Sequence, residues 1–296
     1  MKVLVTGCNG FIGSYVCNRL WALGHLVYGL GKKQVSKTQL NRYYSVDIAS
    51  QAEVEDCAEI LGRIDAIVHC AAYISYDNTD SRIMQVNAIG TQNIISLAKS
   101  VEAHKFVYCS SLPVIGTPTE LPITEDHPLA PRTMYHVSKL AGEYIVNTSD
   151  IASVILRIPS PIGVGMNQST ILPVFISKSL RNEPILIHGT GSRVQNYISV
   201  SDISNAILLS LTKNVSGCFN LSGDAISNIE LARLCRKVLC SNSEIVFSGK
   251  PDPADQQVWD ICGERAAQEL GFTAEVQIER SIQMLADQIS AVRRIE

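Results

Sequence analysis

Short apolar runs and longer stretches with apolar positions three and four apart alternate along the first half of the chain. Val3 to Val5, Leu26 to Leu30, Tyr43 to Val46, Ala66 to His69, Lys105 to Cys109 and Ala152 to Leu156 read as strands. Between them, Ser14 to Leu23, Ala52 to Leu61, Met84 to Val101 and Tyr135 to Thr148 carry the helical period. Strands alternating with helices of this length predict βαβ units and a parallel sheet. Strands that are continuously apolar predict a sheet covered on both faces. After about Gly163 the alternation loosens. Helices are expected over Thr170–Arg181, Asp202–Thr212, Ser227–Leu239, Glu264–Leu270 and Val276–Gln288, with a short strand at Ile185–Ile187. The expected organisation is a nucleotide-binding domain over residues 1–163 and a smaller mixed α/β lobe over 164–296. Part of 192–212 is expected to return to the first domain.

Composition narrows the class of partner. The chain has 296 residues, 46% of them hydrophobic, and a net charge of −3. That is ample for a large core. No basic stripe marks a nucleic-acid partner, and no apolar run reaches the roughly 18 residues that cross a bilayer. The N-terminus enters a strand directly, without a signal-peptide pattern. The nine cysteines are scattered, with no Cys-x-x-Cys pair. They read as reduced thiols of a cytoplasmic protein, with no metal site. Cys70 and Cys109 in particular are expected to be buried structural thiols.

The first strand runs into Thr6-Gly7-Cys8-Asn9-Gly10-Phe11-Ile12-Gly13, three glycines spaced three apart at the opening of a helix. Gly7 permits a tight turn, Gly10 lets a pyrophosphate approach the backbone, and Gly13 lets helix and strand pack closely. Asn9, Phe11 and Ile12 complete the loop, and the helix N-terminus offers free N–H groups to the anion. At the end of the second strand an acid would accept the ribose hydroxyls of NAD. Gly31 stands there, followed by Lys32 and Lys33. This favours NADP(H), with NAD(H) the alternative. Further on, Tyr135 and Lys139 lie four apart, stacked on one face of a helix. Among 10 tyrosines such spacing arises by chance, so its position in the chain has to decide.

With the GxxGxxG loop and Tyr-x-x-x-Lys in this order, the chain resembles the extended short-chain dehydrogenase/reductase family, in its nucleotide-sugar epimerase, dehydratase and reductase branch. The resemblance runs over nearly the whole chain and implies a Rossmann-type doubly wound parallel sheet with a smaller C-terminal substrate lobe. Asp47-Ile48 resembles the family's adenine-contacting pair, and His69-Cys70-Ala71-Ala72 its segment beside the cofactor. Asn87 lies in a Val-Asn-x-x-Gly-Thr segment, and Pro159 follows the strand after the active-site helix. By resemblance these residues contact the cofactor, as do Tyr135 and Lys139. Cys109-Ser110-Ser111 with Val114-Ile115-Gly116 resembles the segment that carries the catalytic serine. Counting back from Gly116 selects Ser111, 24 residues before Tyr135, with Ser110 the runner-up.

The resemblance assigns Tyr135 as proton donor, Lys139 as the group that lowers its pKa and clamps the nicotinamide ribose, and Ser111 as the residue that orients the substrate oxygen. Ser110, Ser111, Tyr73 and Arg193 are the expected substrate contacts. Departures from the family narrow the reaction. Its 4,6-dehydratases carry Asp-Glu where this chain has Leu112-Pro113, which cannot shuttle protons. Ile115 replaces a pocket tyrosine, and Gln195-Asn196 stands where Arg-Asp is common. The expected function is NADPH-dependent reduction of a nucleotide-linked 4-keto-6-deoxy sugar, a reading the compact length also favours, since such epimerases tend to be longer. An NAD-dependent nucleotide-sugar 4-epimerase is the alternative. A catalytically silent NADP(H)-binding regulator is the third reading, which the intact Ser111, Tyr135 and Lys139 disfavour. By resemblance the chain forms a homodimer through the helices at Met84–Val101 and Tyr135–Thr148.

Overall fold

A computed structural model describes residues 1–293. Six strands alternate with helices through the first half: β1 (Lys2–Thr6), β2 (Leu26–Gly31), β3 (Arg42–Ser45), β4 (Ala66–His69), β5 (Lys105–Ser111) and β6 (Ala152–Ile158). Six further strands follow: β7 (Ser160–Ile162), β8 (Ile185–Ile187), β9 (Val194–Ser199), β10 (Gly217–Asn220), β11 (Asp224–Ser227) and β12 (Ile245–Phe247). The main sheet has seven strands in the order β10-β6-β5-β4-β1-β2-β3, every neighbouring pair parallel. Strand order reverses between β1 and β4. Such a switch point opens a crevice at the carboxyl ends of the strands.

The helices are α1 (Phe11–Ala22), α2 (Gln51–Leu61), α3 (Arg82–Met84), α4 (Gly90–Ser100), α5 (Met134–Asn147), α6 (Ile171–Leu180), α7 (Val200–Thr212), α8 (Asn228–Val238) and α9 (Ile278–Arg293). A π-helical turn, Gln85–Ile89, joins α3 to α4, so the single helix expected over 84–101 carries one bulge. Two apolar layers cover the sheet, as the continuous hydrophobicity of its strands requires. Val3, Val5, Val68 and Val107 pack with Val16 and Leu20 of α1 and Ile203 and Ile207 of α7. On the other face Leu4, Ile67, Phe106 and Tyr108 pack with Val54 of α2, Ile94 and Leu97 of α4, and Val146 of α5.

The chain returns to the first half further than expected. Beyond α7, β10 forms the sheet's edge against β6, and Leu270 and Phe272 pack into the α1–α7 layer. The pattern missed β7, β9, β10 and β11 because each is three to six residues long and partly polar, and β12 because it has three residues only. Strands this short show too little alternation to separate from loops. The second lobe sets β11-β9-β7 and the parallel β8–β12 pair against α6, α8 and α9, around Phe175, Leu231, Ile282 and Leu285.

Candidate active site

The glycine loop is built as its spacing requires. Gly7 has φ +66°, and a Cβ there would lie 2.8 Å from the Ala71 backbone. At Gly13 a Cβ would sit 2.2 Å from the Gly7 carbonyl oxygen, which no side chain tolerates. Gly10 is the N-cap of α1 and has no side chain to cap it. The first-turn amides therefore have neither an intrahelical nor a side-chain partner, the arrangement that accepts an anion. Phe11 packs edge-on against Tyr15, and Ile12 packs on the core beneath. Their contribution to the loop is their backbone N–H groups, not their side chains.

A cavity of about 590 Å³ opens from this loop. Gly7, Asn9 and Gly10 form one wall, Gly31 to Lys33 and Asp47-Ile48 the rim, and Cys70 to Tyr73 the opposite wall. Most of the expected cofactor residues are thus brought together, and the pocket's size and glycine floor fit a dinucleotide. Arg82, Gln85 and Val86 also line it, which the sequence did not single out. Arg82 is pinned: its guanidinium makes two bonds to Asp80, at 2.9 and 2.7 Å, and lies over the Tyr73 ring. The Tyr73 hydroxyl also donates to Asp80, at 2.9 Å, so this expected substrate contact is engaged within the rim.

The rim lysines are not equivalent. Lys32 Nζ donates to Asp47 Oδ2 at 2.6 Å. Partial burial acts to raise the Asp47 carboxyl, but the Lys32 hydrogen bond, the Ala49 N–H and the Lys32 charge together hold it below its ordinary value. Asn9 is tied to the same loop, its Oδ1 accepting from Ser36 Oγ and the Lys37 N–H at 3.0 Å each.

Beneath the cavity, His69 is fully buried. Its Nδ1 lies 2.6 Å from Thr6 Oγ1 and its Nε2 3.0 Å from Thr91 Oγ1. Burial, with a smaller contribution from the Lys139 charge, pushes its pKa down to about 3. It is a neutral bridge from β1 to α4. Thr6 Oγ1 in turn accepts the Ala71 N–H at 3.2 Å, locking the wall against the glycine loop. Asn87, expected at the cofactor, is 1% exposed. Its Oδ1 accepts the Tyr73 N–H, and its Nδ2 donates to the Tyr73 carbonyl and to Ser138 Oγ. It therefore sits behind the cavity wall and ties that wall to α5. The π-helical turn that carries it was not legible in the pattern.

Helix α5 starts at a Thr133 cap, whose hydroxyl accepts the His136 N–H, while Asn78 accepts the Met134 N–H. These two contacts fix the turn that bears Tyr135. Lys139 is 3% exposed, its Nζ 4.2 Å from the centroid of the Tyr108 ring. The Tyr135 phenol is raised above its ordinary value: burial raises it, Lys139 lowers it, and Tyr108 and Cys109 raise it further. Lys139 thus acts in the expected direction, but burial outweighs it and Tyr135 is a protonated acid at neutral pH.

The two candidate serines divide here. Ser110 is buried and donates to Glu143 Oε1 at 2.5 Å. Glu143, one turn beyond Lys139, forms a buried ion pair with Arg157 of β6 at 2.9 Å. The expected substrate contact Ser110 is therefore part of the support that joins β5, α5 and β6. Ser111, at the end of β5, is left with its hydroxyl outside that network. Leu112 and Ile115 are fully buried beside Ile123, Leu140 and Trp259, while Pro113 between them is half-buried. Pro159 lies in the link between β6 and β7.

In the second lobe Arg193 Nη1 lies 3.9 Å from Asp252 Oδ1. Its Nε is buried without a hydrogen-bond partner among the described residues, as is the Tyr197 hydroxyl. Asn196 is committed to Gly223, accepting its N–H at 2.8 Å. Among the described residues no helix is long and apolar enough to cross a membrane, and no three His, Cys, Asp or Glu side chains cluster as metal ligands.

Known proteins share this layout. A Methanocaldococcus jannaschii protein provisionally named a UDP-glucose 4-epimerase is 25% identical over 303 residues, spanning 96% of this chain and 97% of its own length. The dTDP-glucose 4,6-dehydratase of Streptomyces niveus is 26% identical over 301 residues, spanning 93% and 89%. Among solved structures, the UDP-glucose 4-epimerase of Thermotoga maritima, determined with UDP-glucose, superposes with a TM-score of 0.88. It is 23% identical, with 99% of this chain and 100% of that one covered. Residues 3–222, from β1 through β10, match the sequence profile of one family. With the glycine loop, the parallel sheet and that match in agreement, the chain belongs to the NAD-dependent epimerase/dehydratase family.

Proposed function

We propose that this chain is a nucleotide-sugar 4-epimerase that works with a retained NAD. The observation that carries the cofactor half of this reading is the Lys32–Asp47 pair. A 2′-phosphate needs unmatched positive charge at the rim, and Lys32 is matched by Asp47 at 2.6 Å, as Arg82 is by Asp80 at 2.7 Å. An epimerase regenerates its cofactor in every cycle, so a plain NAD site suffices for it. The length argument for a reductase also falls away, because the Thermotoga maritima epimerase is covered end to end.

In this reading Gly7, Gly10, Gly13 and the α1 amides hold the pyrophosphate, Asp47 and Ile48 flank the adenine, and Lys139 clamps the nicotinamide ribose. The nicotinamide supplies and accepts the hydride. Tyr135 takes the proton of the C4 hydroxyl during oxidation and returns it to the keto oxygen. Ser111 holds that oxygen in line. Lys139 favours the phenolate that the first half-reaction requires. Leu112 and Pro113 carry neither acid nor base, which leaves no second acid–base couple at that position for eliminating water, so the chemistry stays at one carbon. Arg193, whose buried Nε lacks a partner, is the residue proposed to meet the nucleotide diphosphate.

One observation favours the second reading, an NADPH-dependent 4-keto reductase. Gly31 presents no carboxylate to a 2′-substituent, and Lys33 is exposed beside it. Nucleotide extracted from the purified protein separates the two. Retained NAD with interconversion of UDP-glucose and UDP-galactose supports the epimerase. A protein that purifies empty, prefers NADPH and reduces 4-keto-6-deoxy sugar nucleotides refutes it. Tyr135→Phe is expected to lower turnover about 10²–10⁴-fold, the contribution of one positioned proton donor, with retained nucleotide unchanged.

A further inference from the structure

Two thiols meet on the floor of the cavity. Cys70 and Cys109 follow directly on His69 and Tyr108, which are paired across the parallel strands β4 and β5. Their side chains project to the same side, and the two Sγ atoms are 3.5 Å apart, within hydrogen-bond distance. Cys70 lines the cavity wall while Cys109 lies buried behind it. The other cavity-wall residues near them carry no thiol, and the one exposed cysteine, Cys240, is in the second lobe. Cys70 is partly buried and belongs to the cavity lining, so the pair borders the cavity on one side.

We infer that Cys70 and Cys109 form an oxidative modification site: a dithiol that a small peroxide converts to a disulfide across the ends of β4 and β5. The site borders the cavity at Cys70, and Cys109 is close enough to Tyr135 and Lys139 to share their electrostatics. The two cysteines follow a register pair of neighbouring strands, and closing 3.5 Å to a bond length of about 2.05 Å moves the sulfurs together by about 1.5 Å. The chemistry balances on these two groups and one peroxide. One sulfur, ionised and accepting the other thiol's hydrogen bond, attacks a peroxide oxygen. The O–O bond breaks and hydroxide leaves, giving a sulfenic acid. The second sulfur attacks the first, the S–O bond breaks, and the departing hydroxide takes the second thiol's proton. The first hydroxide takes up the proton that the ionised thiol gave off, so two thiols lose two electrons and two protons, the peroxide gains them, and two waters are the products.

The surroundings support the first step. The Cys70 hydrogen bond favours the anion on Cys109 against burial, and the Lys139 charge favours it too. Cys70 itself is held high, chiefly by that hydrogen bond and by burial. One proton is thus removed from the pair more readily than from an isolated buried thiol, and the remaining one is shared. A peroxide must reach the pair through the cavity, so a dinucleotide lying against Cys70 covers the entry. Bound cofactor is therefore expected to slow the oxidation.

The test reads mass rather than turnover. The purified protein, as wild type and as Cys240→Ser, is treated with hydrogen peroxide with and without NAD, quenched with iodoacetamide and analysed as intact protein and as peptides. The expected result is a loss of 2 Da and a Cys70–Cys109 linked peptide, reversed by dithiothreitol, several-fold slower with NAD, and absent from both Cys70→Ala and Cys109→Ala. Sulfinic or sulfonic acid on either cysteine without the linked peptide overturns the proposal, as does modification confined to Cys240. A linked peptide formed at the same rate with and without NAD keeps the dithiol site and instead refutes the placement of the cofactor over Cys70.

Discussion

Acid should loosen this protein through one histidine. His69 is buried and neutral between Thr6 and Thr91, with a folded pKa near 3, against 6.5 for a free imidazole. The folded value is depressed, so between pH 6.5 and 3 the unfolded chain binds a proton that the native state refuses. Stability contributed by the neutral imidazole is therefore present above pH 6.5 and is lost as pH falls through that window. Between pH 7.5 and 5 the linkage amounts to about 2 kcal/mol, because the native imidazole stays neutral while the unfolded one titrates almost completely. That is a sizeable part of the about 5–15 kcal/mol a domain of this kind holds. The assay is urea unfolding followed by far-ultraviolet circular dichroism at the two pH values, for the wild type and for His69→Gln. Glutamine retains a donor and an acceptor for the two threonines but does not titrate. The variant will start less stable, yet it should lose about 2 kcal/mol less than the wild type on acidification. Equal losses in the two proteins would refute the reasoning. Because Thr6 also holds the Ala71 N–H, the same acidification should weaken dinucleotide binding in the wild type more than in the variant.

Gly13→Ala should abolish dinucleotide retention, since its Cβ would stand 2.2 Å from the Gly7 carbonyl; nucleotide content of the purified protein reads this directly. Glu143→Ala takes the ion-pair partner from buried Arg157, which keeps its bond to the Glu125 carbonyl, and should lower stability by about 3–5 kcal/mol, measured by urea unfolding at pH 7.5. Tyr135 is raised by burial, so the oxidising half-reaction, which needs its phenolate, should accelerate with each step from pH 7 to 9 in stopped-flow nicotinamide absorbance, whereas Tyr135→Phe should show no such slope. Helix α5 and the adjoining π-helical turn expose Val137, Tyr144 and Ile89, and Tyr144 is 72% exposed. A homodimer built on that face predicts that Tyr144→Asp shifts the species seen by light scattering from dimer to monomer.

Local pattern carried the first half of the chain. Continuous apolar runs such as Val3-Leu4-Val5 and Ala66-Ile67-Val68 determine a sheet buried on both faces, because nothing else hides them. Three glycines three apart determine the tight loop between β1 and α1, because a Cβ at Gly7 or Gly13 collides with backbone. Tyr135 and Lys139 share a helix, so their spacing was readable before any contact was known. Tertiary structure decided what each polar side chain is used for, since those partners are remote in sequence. Ser110 and Ser111 are adjacent and look alike, yet only Ser110 is bonded to Glu143, 33 residues on. Lys32 reads as a free cation until Asp47, 15 residues on, is seen to neutralise it. Asn87, expected at the cofactor, gives its amide to Ser138, 51 residues away. Short polar strands such as β11 exist only because β9 offers them a ladder. The meeting of Cys70 with Cys109 likewise belongs to the sheet: the register of β4 on β5 puts side by side two residues that the chain keeps 39 apart.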